Sequence, residues 1–199
     1  MTGERNAAPA EVVASRADIA ARIEVLASEI APAYDGARGP VVLVSVLTGS
    51  TLFVADLMRA LDIDLCVDFM SISSYASGGR SGVVQIVKDL EEDVTGKDVL
   101  IVEDIVDTGL TLNYLRRTLG ERHPASLSTV TLLDKAVRRI VPVPVEHVGF
   151  EIDDAFVVGY GLDFQGRYRN VPDILAVRDV ARLANQPLLL VDELFAPAR

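Results

Sequence analysis

Short unbroken runs rich in Val, Ile and Leu recur along this chain, and the stretches between them carry helical spacing. VVLVSVL (41–47), LCVDFMS (65–71), VLIVE (99–103) and LSTVTLL (127–133) read as buried strands of the kind a parallel sheet contains. VVQIV (83–87) is a shorter strand, and FVVGY (156–160) reads as a last core strand. Behind Ser15-x-x-Asp18, the spacing of a capping box, Ile19, Ile23, Leu26 and Ile30 repeat near the helical period. A helix is therefore predicted from Ser15 to about Pro32. TLFVADLMRAL predicts a second helix ending at Leu61, and residues 110–119 a third. ISSYASGGRSG (72–82) reads as a flexible loop by its Ser and Gly content, and 89–98 as an acidic turn region. Residues 134–149, with two prolines, are loop-like, and residues 1–14 form a loose Ala-rich tail. Alternating strand and helix without internal repeats predicts an α/β fold with a mostly parallel sheet.

Composition narrows the class. The 199 residues suit one ordinary domain able to bury roughly 70% of its unfolded surface without disulfides or a structural metal. Half the residues are hydrophobic, and the mean hydropathy of +0.31 excludes a disordered chain. With 19 Lys and Arg against 29 Asp and Glu, the net charge is −10 and the pI about 4.6, which argues against a nucleic-acid partner. One cysteine, Cys66, and two histidines, His123 and His147, allow neither an internal disulfide nor a Cys/His zinc cluster. The first residues hold Glu4 and Glu11 and no apolar stretch of a secretory leader. No run approaches the roughly 18–20 apolar residues that cross a bilayer. These features lead to the expectation of a soluble, cytoplasmic protein with no membrane partner.

One stretch stands apart for its chemistry: VLIVEDIVDTGLT, 99–111. A buried strand ends on Glu103 and Asp104, then gives Asp107-Thr108-Gly109 and a helix containing Thr111. Ligands of parallel α/β sheets bind beyond the carboxyl ends of strands. Free amides and hydroxyls at a helix start suit a phosphate, and the helix dipole adds roughly half a positive charge there. The two carboxylates suit sugar hydroxyls or a bound cation. Together they describe a phosphorylated ribose. The bland alternatives are solvated loop acids and, for Asp107, Thr108, Gly109 and Thr111, simple helix capping.

VLIVEDIVDTGLT resembles the phosphoribosyl pyrophosphate (PRPP) motif of the type I phosphoribosyltransferases. VDFMSISSY (67–75), VTGKDVLIVEDIVDTG (94–109), VGFEIDDAFVVGYGLD (148–163) and RYRN (167–170) narrow the likeness to the hypoxanthine-guanine branch. It extends over about residues 15–175. The resemblance implies a type I phosphoribosyltransferase fold: a mostly parallel sheet flanked by helices, with a small hood from the N-terminal part and the segment after Lys135. It divides the chain into the tail 1–14, the transferase domain 15–176 and a C-terminal extension 177–199 with an apolar LLLV. The implied reaction is magnesium-dependent purine salvage. PRPP and hypoxanthine or guanine give IMP or GMP and pyrophosphate, through an oxocarbenium-like transition state.

Residue by residue, the resemblance implies that Glu103 and Asp104 hold the ribose hydroxyls, directly or through magnesium and water. It makes Asp107 the general base or acid at purine N7, and Thr108, Gly109 and Thr111 the cradle of the 5′-phosphate. Lys135 would donate to the purine O6, Phe156 would stack on the purine, and Val157 would read its edge through the backbone. Asp163, counted with this purine group, would also help hold a second magnesium near pyrophosphate, and Arg169 would contact that leaving group. Ser74, Tyr75 and the residues to Gly82 would form a lid that shields the cationic sugar from water. A homodimer or homotetramer is implied, with Met58, Leu61 and the 41–60 region as a source of interface.

Departures from the family pattern are equally specific. The turn Leu47-Thr48-Gly49-Ser50 stands where the family shows Leu-Lys-Gly and a small residue, so Thr48 removes a positive charge near pyrophosphate. Leu47-Thr48 is the equivalent of a non-proline cis peptide in the family. Asp134 precedes Lys135 where a basic or apolar residue is frequent, and is expected to perturb the lysine. Two other readings stay open on the sequence: a regulatory binding protein that keeps the fold, and a transferase for xanthine or another modified base.

Overall fold

A computed structural model describes residues 9–75 and 83–195. They fall into two compact units, one spanning Ala20–Asp154 and the other made of the described residues before Ala20 and after Asp154.

In the larger unit the apolar runs pair into one six-stranded sheet. Its strands are β2 (Val41–Leu47), β3 (Leu65–Tyr75), β4 (Val83–Lys88), β5 (Asp98–Val106), β6 (Ser126–Asp134) and β7 (His147–Glu151), in the order β4-β3-β2-β5-β6-β7. All neighbours run parallel except β3 and β4. Parallel pairing requires crossover helices that cover both faces, which is why β2 is buried at every position but Leu47. One face packs Val42, Val44, Val46, Val99 and Ile101 against Leu112, Leu115 and Leu119 of α3 (Leu110–Gly120). Successive side chains alternate, so Leu43 and Leu100 face the other way. They too are fully buried, and α2 (Thr51–Ala60) lies over β2 and β5 with Phe53, Val54 and Leu57 buried. Arg116 of α3 donates to Thr129 Oγ1 (2.7 Å), to the Leu127 carbonyl (3.2 Å) and to both carboxylate oxygens of Glu146. That fork ties the helix to β6 and the approach to β7.

Helix α1 (Arg16–Ile30) opens on the predicted capping box. The Ser15 amide donates to Asp18 Oδ2 (3.0 Å), and the Asp18 amide donates to Ser15 Oγ (3.2 Å). Ile19, Ile23, Leu26 and Ile30 are its buried stripe, as the periodicity requires. No helix among the described residues is long and apolar enough to cross a membrane.

The structure corrects several expectations. Ala10–Ala14 is not loose tail but a strand, β1, paired antiparallel with β9 (Ile174–Val177). Phe156–Val158 (β8) is not a strand of the large sheet. It forms the edge of a three-stranded sheet of order β1-β9-β8 in the smaller unit. Ile72–Tyr75 continues β3 instead of starting a loop, because β4 pairs with it as far as Tyr75 and Val83. The loop-like 134–149 contains a 3-10 turn, Ala136–Arg138, and the start of β7; parallel pairing with β6 supplies β7 with partners its short sequence does not advertise. Of the segment after Lys135, the residues as far as Asp154 belong to the larger unit, and the described residues from Ala155 join the N-terminal part in the smaller one. Leu61 is 6% exposed and Val41–Val46 are buried, so these residues are core and not interface, whereas Met58 is exposed.

Asp68 on β3 holds the acidic turn in place. Its carboxylate accepts from the amides of Phe69 (2.7 Å), Glu91 (2.7 Å) and Glu92 (2.9 Å), with Lys88 Nζ at 3.8 Å. Burial pushes this carboxyl up, but the three amides and Lys88 outweigh it and hold it below its ordinary value. Its stabilisation is complete above the unfolded value near ~4 and is lost as pH falls through the depressed folded value. Asp68→Asn is expected to destabilise the fold by about 1–3 kcal/mol at pH 7 and by clearly less at pH 3, read by urea denaturation at both.

Candidate active site

Strands β2, β5 and β6 are parallel neighbours, so the loops that follow them leave from the same edge of the sheet. The turn after β2 is Leu47–Ser50, and the Leu47–Thr48 peptide is cis, as the resemblance implied. Ser50 anchors the turn from below: its hydroxyl donates to the Val46 carbonyl (2.5 Å) and lies 2.8 Å from Ser45 Oγ. Thr48 is exposed, and its carbonyl accepts from Thr51 Oγ1 (2.8 Å). Gly49 is buried, and a Cβ built on it would overlap the Asp104 carboxylate. Only a residue without a side chain lets the acid rest on this turn.

Strand β5 delivers the acidic pair. Glu103 is 6% exposed, and burial, with the Asp104 charge adding to it, pushes its carboxyl well above the usual range. Asp104 Oδ1 accepts from the Ile105 amide at 2.9 Å.

Beyond β5 the chain turns through Asp107-Thr108-Gly109 into α3. Gly109, at φ +82°, is the N-cap, and no side chain caps the helix among the described residues. Asp107 is therefore not the helix cap. Thr108 Oγ1 reaches the Leu110 amide only at 3.5 Å. The first-turn amides thus keep their capacity for an anion, where the dipole favours one, and Thr111 lies exposed in that turn. The segment after Lys135 braces the loop: the Ile140 and Val141 amides donate to the Thr108 carbonyl (2.9 and 3.1 Å). A Cβ at Gly109 would meet the Val141 carbonyl at 2.6 Å, so glycine serves here for closeness as well as for φ.

Asp107 ion-pairs with Arg138, whose Nε lies 3.0 Å from Oδ1, while Arg138 Nη1 donates to both oxygens of Asp154 at 3.1 Å. Arg138 is the functional neighbour that the sequence reading missed. The only signal was an Arg-Arg pair shortly after Lys135, and its carboxylate partners are 31 and 16 residues away along the chain.

Strand β6 ends on Asp134, and Lys135 follows it. The Lys135 amide donates to the Val106 carbonyl (2.9 Å), which places the residue beside the start of the Asp107 loop. Lys135 is 7% exposed, and its ammonium pairs with no carboxylate among the described residues. Asp134 was expected to perturb it. Instead Asp134 pairs with Arg139; burial raises its carboxyl in spite of that guanidinium.

The smaller unit holds the other candidates. Phe156 opens the edge strand β8, half-buried, its ring edge-on to Phe164 at 5.8 Å. Val157 is buried and pairs with Ala176 on the one side where β8 has a neighbour. Asp163 Oδ1 lies 2.7 Å from Arg169 Nη2, and Asp163 Oδ2 accepts from the Gly166 amide (2.7 Å). Arg169 Nη1 donates to the Gly161 carbonyl (2.5 Å). Ser74 and Tyr75 are the last residues of β3; the remainder of the expected lid, 76–82, lies outside the described residues.

An acidic pair, a helix start without a side-chain cap and a buried lysine thus stand at the carboxyl ends of parallel strands. Residues 13–165 match the phosphoribosyl transferase domain family. The chain is 53% identical over 163 residues to the hypoxanthine phosphoribosyltransferase of Salmonella typhimurium, covering 81% of this chain and 92% of that one. It is 47% identical over 165 residues to the hypoxanthine-guanine phosphoribosyltransferase of Mycobacterium avium, covering 80% and 81%. A solved hypoxanthine phosphoribosyl transferase of Trypanosoma cruzi superposes with a TM-score of 0.84 at 41% identity, over 92% of this chain and 99% of that one. The chain belongs to the hypoxanthine phosphoribosyltransferase family, and its fold is the type I phosphoribosyltransferase fold.

Gly49→Ala forces either the turn or Asp104 to move. It is expected to lower kcat/KM by about 10²-fold with a melting temperature near that of the parent. Wild-type kinetics in this variant would show that the Gly49–Asp104 contact does not matter to the site.

Proposed function

We propose that this enzyme makes IMP or GMP and pyrophosphate from PRPP and hypoxanthine or guanine, in the cytoplasm. The observation that carries this reading is Lys135: a buried cation with no carboxylate partner among the described residues, beside an open phosphate cradle. A buried charge without a partner is costly, so the site is suited to a ligand that supplies an acceptor. The O6 oxygen of a 6-oxopurine is such an acceptor, whereas a 6-amino group presents donors to a donor.

In this reading the bond from ribose C1 to pyrophosphate breaks, a bond from C1 to purine N9 forms, and the proton lost from the base passes to Asp107 near N7. Arg138 keeps the Asp107 carboxylate aimed, through its 3.0 Å contact. The amides and hydroxyls of Thr108, Gly109 and Thr111 hold the 5′-phosphate, and Glu103 and Asp104 hold the ribose hydroxyls. Phe156 stacks on the base, and the unpaired backbone edge of β8 at Val157 reads it. Arg169 is assigned to the leaving pyrophosphate, and so is the backbone of Leu47–Gly49. Ser74 and Tyr75 belong to the lid.

Magnesium fits these residues. Among the described residues no three His, Cys, Asp or Glu gather as a metal cage. Magnesium is ordinarily held through substrate oxygens and water with one or two carboxylates. Glu103 and Asp104, and separately Asp163, would supply those carboxylates. When bound, magnesium neutralises the charge of the pyrophosphate group. The family resemblance also supports a homodimer or homotetramer.

The test is an assay of PRPP and magnesium with hypoxanthine, guanine, xanthine and adenine. Nucleotide is expected from hypoxanthine or guanine and little from adenine. Product from xanthine alone would overturn the assignment of the base. Asp107→Asn is expected to lower kcat by about 10²-fold or more with little change in PRPP affinity; an unchanged rate would remove Asp107 from proton handling. Thr48→Lys is expected to tighten PRPP binding by restoring a charge beside the leaving group. No change in the dissociation constant would assign pyrophosphate to the backbone of the turn alone.

A further inference from the structure

The chain beyond Val177 packs onto the segment that carries Arg169. After β9, Asp179 caps α4 (Val180–Asn185) by accepting from the Arg182 amide at 2.7 Å, and α5 (Val191–Phe195) follows. Leu183 and Leu190 are fully buried in one apolar cluster with Tyr168, Val171, Leu175 and Val177. Tyr168 is 3% exposed and sits at φ +73°, a left-handed conformation that an aromatic residue keeps only where its surroundings hold it. Its hydroxyl donates to the Pro187 carbonyl at 2.5 Å. Val191 and Phe195 line a cavity of about 420 Å³ together with Gly166–Asn170. The next residue after Tyr168 is Arg169, with one guanidinium nitrogen on Gly161 and another on Asp163. The matched family span ends at residue 165, so Leu183, Pro187 and Leu190 lie beyond it.

We propose that the C-terminal extension is a positioning element for leaving-group binding. It acts through Tyr168, which the Pro187 carbonyl and the Leu183 and Leu190 side chains hold in its left-handed turn. Fixing Tyr168 fixes the backbone that projects Arg169, so the guanidinium meets pyrophosphate without first being ordered. The extension touches neither purine nor ribose in this scheme, and its influence is confined to PRPP and pyrophosphate. The proposal rests on the reading of Arg169 as a pyrophosphate contact.

The test compares full-length Tyr168→Phe, Leu190→Ala and Arg169→Ala with the parent enzyme. Phenylalanine keeps the packing and removes one hydrogen bond. The KM for PRPP and the inhibition constant of pyrophosphate are expected to rise about three- to tenfold in Tyr168→Phe, with the KM for hypoxanthine and kcat within about twofold. Leu190→Ala should move the same two constants in the same direction. Parental PRPP and pyrophosphate constants in both folded variants would overturn the proposal. So would an equal rise in the KM of both substrates, which marks general loosening. If Arg169→Ala leaves the PRPP constants unchanged, the reading of Arg169 itself has failed, and an inactive parent enzyme would sink the transferase assignment beneath it.

Discussion

The contact of Asp104 with the bare backbone of Gly49 is the constraint from which the rest of the larger unit's site follows. It brings the turn after β2 against the end of β5, so that the Leu47–Ser50 turn and the Asp104 carboxylate share one wall. Parallel pairing makes this possible, because β2 and β5 run in register from Val42 and Val99 to Ser45 and Val102 and end side by side. Buried apolar side chains on both faces fix that register, since a slip by one residue would turn every side chain to the opposite face. Precise placement of polar groups at the edge thus rests on featureless packing in the middle.

Charge at this edge is arranged so that little of it is spent within the protein. Burial, with the Asp104 charge adding to it, pushes the Glu103 carboxyl up. Asp134 is engaged by Arg139, which leaves Lys135 without a carboxylate among the described residues. The α3 start has no side-chain cap. Asp107 ion-pairs with Arg138, and that guanidinium is shared with Asp154. A site built this way is poor at satisfying itself and therefore suited to a substrate with a phosphate, hydroxyls and a carbonyl.

Much of this was legible in the chain because local signals sufficed. The strands 41–47, 99–103 and 127–133 announced themselves as continuous apolar runs, and the Glu103–Thr111 segment carried its chemistry in consecutive residues. What escaped depends on partners distant in sequence. Residues 10–14 are a strand only because residues 174–177 lie beside them, and Phe156–Val158 belongs to that same small sheet although its composition matches a core strand. Arg138 gives no local sign that it bridges Asp107 and Asp154. Asp134 was read as a neighbour of Lys135 by adjacency, whereas the carboxylate finds Arg139 across the 3-10 turn.

We propose that Lys135 awaits an acceptor at position 6 of a purine nucleotide seated in the Asp107–Thr111 cradle. Calorimetric titration of the enzyme with IMP and with AMP tests it without turnover. The claim predicts that IMP binds about tenfold or more tightly than AMP and that Lys135→Met erases the difference. Equal affinities for the two nucleotides in the parent enzyme would contradict it.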